Sequence, residues 1–257
     1  VSAPRRIHAS FLAGWHSFLR RRTAVFFTFF FPLIIVVIFG ALVRTEPTGG
    51  LFARDPGYYV PGYLAVVVLF TPLSRVGSEV ARHREGNRFE KLATTPLSRG
   101  EWLLAQTAVN VVVIGLAGLL LLALVLLLTG ADLVVSVGSV ALLVAYLVVG
   151  VALFCGLGAI LGSLTGSQDG VIAASNTIAL PLLFLSETFV PPAMLPAWFR
   201  PAMGLSPLTY FSRGVRAATF EPIDMGAVPP AVANLAILGA LAVAFLAVGA
   251  RVLPRTD

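Results

Sequence analysis

Apolar residues gather in runs of about twenty along most of the chain, parted by short polar stretches. A hydrocarbon core of ~30 Å takes about twenty helical residues to cross, so the runs predict membrane-spanning helices. Span one covers about Ala24 to Val43, span two Tyr58 to Ser78, span three Leu103 to Leu128 and span four Val137 to Leu161. Span five follows from Val171 to Leu185 and span six from Val232 to Val248. Pro32, Pro72 and Pro181 lie inside spans. A missing N–H there predicts kinks whose freed carbonyls neighbouring helices must satisfy.

Ahead of span one, between Arg5 and Arg22, Ile7, Phe11, Trp15, Phe18 and Leu19 recur at helical spacing, while Arg6, His8, Ser10, Ser17 and Arg21 fall mostly elsewhere. That periodicity predicts an amphipathic helix over 5–22 in the membrane interface, with Trp15 at headgroup depth. A cytoplasmic helix packed on another chain is the alternative. The fold expected is therefore all-α and integral to the membrane, one transmembrane domain over 1–257.

Two connections depart from simple polar loops. Residues 79–102, EVARHREGNRFEKLATTPLSRGEW, are dense in both charge signs. Phe89 and Leu92 stand three apart on a predicted short helix with Glu90 and Lys91 between them. An apolar pair in charged surroundings suits a docking knob; a solvated loop fits the same residues. The connection from Glu187 to Ile223 carries Pro191, Pro192, Pro196, Pro201 and Pro207 among large apolar residues, so no uninterrupted spanning helix fits. A re-entrant hairpin over 187–228 is predicted, one short helix near Trp198 and another starting at Pro207, a residue suited to a first helical turn. An exposed external loop is the alternative. Between spans one and two, Glu46, Pro47, Gly49, Gly50, Asp55 and Pro56 predict a turn-rich loop.

Composition agrees with a chain solvated by lipid. It is 58% hydrophobic and 12% charged, with a mean hydropathy of +0.92, against roughly 25% charged residues in soluble domains. The net charge of +6 reads as topology rather than as a nucleic-acid surface, because the arginines cluster beside apolar runs. Thirteen of the eighteen basic residues flank one side: Arg5, Arg6, Arg20–Arg22, Arg75, Arg82, Arg84, Arg88, Lys91, Arg99, Arg251 and Arg255. Arg44, Arg54, Arg200, Arg213 and Arg216 flank the other. The positive-inside bias puts both termini and the 79–102 loop in the cytoplasm. The first apolar run lacks a signal-peptide pattern and reads as retained.

Chemistry-bearing motifs are sparse. The phosphate-cradling GxxxxGK[ST] loop needs a lysine after glycine, and the sole lysine, Lys91, follows Glu90. His8, His16 and His83 lack metal-ligand spacing, and Cys155 is the sole cysteine, so no metal is implied. Ser163, Ser167 and Asp169 suit helix capping between spans four and five. No GxSxG elbow occurs. Acidic residues fall at span ends or outside, with Glu187 near the outer end of span five and Asp132 between spans three and four; midplane ion coupling therefore has little support. Asn176 is the deep polar group, beside Ser175 and Thr177, suited either to helix packing or to substrate contact. Arg75 and Glu79, one helical turn apart, suit a pair with each other or bonds to a neighbouring loop.

The segment EGNRFEKLATTPLSRGEW resembles the loop between spans two and three of type-2 ABC transporter permeases, in which a REGTxExLxxTP-like stretch precedes a basic and acidic pair. FLSETFVPPAMLPAWFRPAMGLSPLTYFSRGVR is similar to that family's proline-rich outer segment, which ends in a PLTY-like motif and an arginine. With the span pattern, the resemblance covers essentially the whole chain. Asn87 stands where threonine is common, and Ser186-Glu187 where a small residue and glycine are frequent.

The resemblance implies an export permease in a prokaryotic cell membrane, paired with a second permease chain and with a separate ATP-binding cassette subunit that holds ATP and Mg. This chain would bind no cofactor itself; its remaining contacts would be membrane lipid, with no nucleic acid. The ATPase would couple through Arg84, Glu85, Arg88, Phe89, Glu90, Leu92, Thr95 and Pro96. Spans two and five would line the path, with Ser175, Asn176, Thr177 and Phe184 along it. Glu187, Trp198, Pro207, Tyr210 and Arg213 would gate the exit. A hydrophobic or amphipathic cargo, a drug or lipid, is the expectation. A polysaccharide or ion exporter of the same family, a gradient-driven transporter and a non-transporting scaffold are the alternatives.

Overall fold

A computed structural model of the chain describes residues 2–38, 56–131, 133, 136–220 and 231–254. Among them the chain is helical and contains no strand. The helices are α1 (Ala3–Arg20), α2 (Arg22–Val36), α3 (Pro56–Glu85), α4 (Arg88–Ala93), α5 (Arg99–Thr129), α6 (Val137–Leu164), α7 (Gln168–Phe184), α8 (Pro207–Thr219) and α9 (Ala231–Val252). Short 3-10 turns cover Pro192–Met194 and Arg200–Leu205.

Among the described residues four helices are long and apolar enough to cross a bilayer: α3 with 30 residues, α5 with 31, α6 with 28 and α9 with 22. They carry predicted spans two, three, four and six. Predicted span five is α7, 17 residues with Pro181 inside. Predicted span one begins in α2, 15 residues through Pro32. Its end at Val43 lies outside the described residues, as do Arg44, Glu46, Pro47, Gly49, Gly50, Arg54, Asp55, Asp132, Ile223 and Arg255. α3 continues as helix through Pro61 and Pro72.

The exterior is apolar, with Leu127 81% and Val137 90% exposed, so burying apolar area from water does not hold these helices together. In lipid, close backbone approach between small residues supplies the packing. α6 provides it on two faces. A Cβ on Gly158 would meet the Leu73 carbonyl oxygen of α3 at 2.5 Å, and Gly162 lies against the Gly77 carbonyl of α3. A Cβ on Gly156 would meet the Phe245 backbone of α9 at 2.5 Å. α6 is thus clamped between α3 and α9.

Helix ends are satisfied locally. Ser98 and Glu101 form a reciprocal capping box at the start of α5, Ser136 and Ser139 do so for α6, and Ser167 caps α7 through Gly170 N–H. Gly130, at φ 60°, closes α5.

The amphipathic helix expected over 5–22 is α1, but α5 of the same chain covers its apolar face. Phe18 is buried against Val109 and Val113, with Phe11 and Trp15 packed beside them. Leu19, expected on that face, is 46% exposed. The Arg6 guanidinium donates to Glu101 at 3.1 and 2.5 Å, fixing the start of α1 to the first turn of α5. That hydrogen bond raises the pKa of Arg6 above its ordinary value.

Candidate functional site

α4 stands between α3 and α5 as a separate short helix because the chain turns sharply at Asn87. Its φ of 50° is the only positive value among described non-glycine residues. Asparagine tolerates this left-handed conformation, whereas a β-branched threonine is strained there.

The turn points Phe89 inward. Its ring is 4% exposed and lies 5.4 Å from His83 of α3 and 5.5 Å from Trp102 of α5, edge-on to Trp102. His83 and Trp102 are themselves 5.3 Å apart. The apolar pair expected as a docking knob is therefore divided. Phe89 anchors α4 to its own chain, and Leu92 is half-buried beside it. Glu85, Arg88, Glu90, Lys91, Thr95 and Pro96 form the exposed side of this loop. Behind α4, Phe89, Leu92, Leu97, Trp102, Arg99 and Arg251 are among the residues lining a cleft of about 520 Å³. Arg99 caps the end of α9, donating to the Arg251 carbonyl at 3.1 Å and to that of Leu253.

Two expected coupling residues tie α3 to the α6–α7 turn. Arg84 donates to the carbonyls of Ser163 and Thr165, each at 3.0 Å, supplying a cation to the unpaired carbonyls of a helix C-terminus. Glu85 accepts from the Gln168 backbone at 3.3 Å and its side chain at 3.2 Å, at the start of α7. Movement of the α3 end is thereby linked to α7.

Arg75 and Glu79 do not pair with each other. The Arg75 guanidinium lies over the Phe18 ring, 4.3 Å from its centre. Glu79 instead faces Arg21 at 3.6 Å and contacts Arg82.

On α7, Asn176, Thr177 and Phe184 share an exposed face with Ile172 and Leu180. Thr177 turns its hydroxyl to the Ala173 carbonyl at 2.8 Å. Ser175 points the other way and is 2% exposed. The four residues expected along a path thus divide three to one between the two sides of the helix.

The outer segment is pinned by buried polar groups. Glu187 is 2% exposed and accepts from Arg213 of α8 through both carboxylate oxygens, at 2.7 Å for Nε. Arg216 donates to the Glu187 carbonyl at 3.0 Å and the Tyr58 carbonyl at 3.3 Å, and lies 4.0 Å from the centre of the Tyr58 ring. The Thr188 hydroxyl contacts those of Ser186 and Ser212. Ser206 bonds the Leu182 carbonyl at 2.7 Å, and Tyr210 that of Gly204 at 2.9 Å. α8 does start at Pro207. Trp198, 79% exposed, lies in a turn that runs into the short 3-10 helix Arg200–Leu205. Glu187, Tyr210 and Arg213 come together, while Trp198 stands apart from them.

No local sequence signal assigns Arg216, Tyr58, His83 and Trp102 to these contacts. Trp102 closes the 79–102 segment, directly after Glu101. The Ser98–Glu101 spacing carries a legible capping-box signal; the Arg6–Glu101 contact, 95 residues apart in sequence, carries none.

Compared with known proteins, residues 5–220 match the family model described as ABC-2 type transporter. No curated protein matches the chain.

Proposed function

The chain belongs to the ABC-2 type transporter family, and on that footing we propose that it is the permease subunit of an ATP-driven exporter, coupled to a separate ATP-binding chain. One observation carries the coupling: α4 joins α3 and α5 through a single buried side chain, Phe89, while its other side is exposed and charged. In this reading the ATP-binding subunit, with its ATP and Mg, docks on Arg88, Glu90, Lys91, Thr95 and Pro96. Its closure pushes on α4, and Phe89 transmits the push to His83 and Trp102. Arg84 and Glu85 relay movement of α3 to α7.

Within this proposal α2 and α7 complete six spans, with both termini and α4 on the cytoplasmic side of a prokaryotic cell membrane, as the arginine bias supports. A second permease chain faces the first, and the exposed face of α7 borders the path. That face mixes Asn176 and Thr177 with Ile172, Leu180 and Phe184, which supports an amphipathic cargo such as a drug or lipid. The outer segment over 187–220 forms the exit gate, with Glu187–Arg213 as its latch; the rest of the expected hairpin, 221–228, lies outside the described residues.

Reversing charge on the exposed side of α4 tests the coupling without touching its anchor. Glu90→Lys should leave the chain folded and inserted while lowering copurification of the ATP-binding subunit and cargo-stimulated ATP hydrolysis at least tenfold. Unchanged hydrolysis in Glu90→Lys and in a Lys91→Glu/Thr95→Asp variant would remove this surface from the mechanism.

A further inference from the structure

Where α1 meets α2, three consecutive arginines stand at the boundary between a polar helix and an apolar one. Arg20, Arg21, Arg22, Thr23, Ala24 and Phe27 line an open groove of about 720 Å³. Arg20 and Arg22 are exposed and make no ion pair among the described residues. Arg21 reaches Glu79 at 3.6 Å, but that carboxylate is already in contact with Arg82. Burial, with the nearby charge of Arg88, lowers the pKa of Arg21 from its ordinary value. Among the described residues the groove gathers three cations against one acidic partner, Glu79, which Arg82 shares.

Directly beyond it, α2 presents aromatic rings. Phe26, Phe27, Phe30 and Phe31 are 54%, 57%, 38% and 48% exposed. Phe26 stacks on Phe30 with ring centres 4.7 Å apart and meets Phe27 edge-on at 5.3 Å. At 1.5 Å rise per residue, Arg22 and Phe31 are about 14 Å apart along the helix, close to the ~15 Å depth of one leaflet. Cations at one end and an apolar strip one leaflet long match the two ends of a phospholipid. A second copy of this chain laid on the phenylalanines would cover the strip but leave the arginines needing acidic partners.

We propose that the α1–α2 elbow is a binding site for an anionic phospholipid of the adjoining leaflet, its phosphodiester held by Arg20 and Arg22 and an acyl chain lying along Phe26, Phe27, Phe30 and Phe31. Guanidinium donors bind phosphate oxygens in pairs, and Arg21 bridges the headgroup to Glu79 of α3. The site needs only that α2 lies in the bilayer, so it stands apart from the ATP-coupling reading.

Native mass spectrometry of the full chain in detergent tests it, with dioleoylphosphatidylglycerol, dioleoylphosphatidylcholine and inorganic phosphate as probes. An arginine at an anionic lipid surface contributes about a factor of five in affinity. Arg20→Gln/Arg22→Gln should therefore weaken phosphatidylglycerol binding roughly 25-fold, and phosphatidylcholine, whose choline cation offsets the same phosphodiester, by less. Arg20→Lys/Arg22→Lys, which keeps the charge but not the paired donors, should fall between the parent and the glutamine variant, and both variants should keep the parent's thermal midpoint. Equal affinity for the two lipids, or full retention in the glutamine variant, would overturn the proposal. So would displacement of phosphatidylglycerol by millimolar phosphate, which would mark a site for free anions, or a shift in oligomeric state in the glutamine variant, which would mark a protein interface.

Discussion

Replacing Phe89 by alanine tests whether one side chain holds α4 in place. α4 has six residues, well below the ~12–15 at which an isolated helix is even marginal in water, so it persists through its contacts. Phe89 is 4% exposed between His83 and Trp102. Truncating a buried phenylalanine to alanine costs about 3–5 kcal/mol. Because α3 and α5 keep their own packing, the loss falls on the local opening of α4. At about 1.4 kcal/mol per factor of ten, 3 kcal/mol raises the opened population on the order of 100-fold. The chain offers its own reporter: Lys91 is its sole lysine, so a lysine-specific protease cuts at one bond, inside α4. With opening and closing fast relative to cleavage, the rate follows the opened population. Phe89→Ala should yield fragments 1–91 and 92–257 about 100 times faster than the parent at a similar thermal midpoint. Rates within threefold of each other would refute the anchoring argument.

Two further outcomes follow from the packing. Gly158→Leu would set a side chain against the Leu73 backbone, where the approach is already 2.5 Å at Cβ; it should cost about 1–3 kcal/mol or more and lower the thermal midpoint in detergent by several degrees. Gly115→Ala, with no atom within 4 Å, should leave that midpoint unchanged, and equal effects of the two would contradict the clamp. Arg213→Met would strand the buried Glu187 carboxylate at a cost of about 3 kcal/mol, the low end for a broken buried pair, because the Arg213 side chain keeps 24% exposure. Adding Glu187→Gln should recover most of that stability in a double-mutant cycle, and an additive further loss would show that the pair contributes nothing.

The long apolar runs were legible because lipid demands a fixed helix length and tolerates almost no charge. Four of the six predicted spans correspond to α3, α5, α6 and α9. α7 is shorter, starting at the Ser167 cap and ending just past Pro181. The start of α8 was legible because Pro207 is pre-shaped for a first turn. The spacing of Phe89 to Leu92 shows a shared helix side, not which chain that side meets; the left-handed turn at Asn87 decides it. Ser186-Glu187, a departure from the family pattern, turned out to be buried and paired with α8. Arg84 looked like part of a partner surface, yet it serves the carbonyls of Ser163 and Thr165. Such roles depend on contacts some 80 residues apart in sequence, which local periodicity does not encode.

On the proposed function, this permease moves cargo only with an ATP-binding partner. The most direct measurement is ATP hydrolysis by the chain purified in mild detergent from its native membrane, with the copurifying proteins identified and quantified. A stoichiometric P-loop subunit is expected, with hydrolysis that falls when Glu90→Lys replaces the parent chain. A clean single chain without hydrolysis, moving cargo in liposomes on an ion gradient alone, would contradict it.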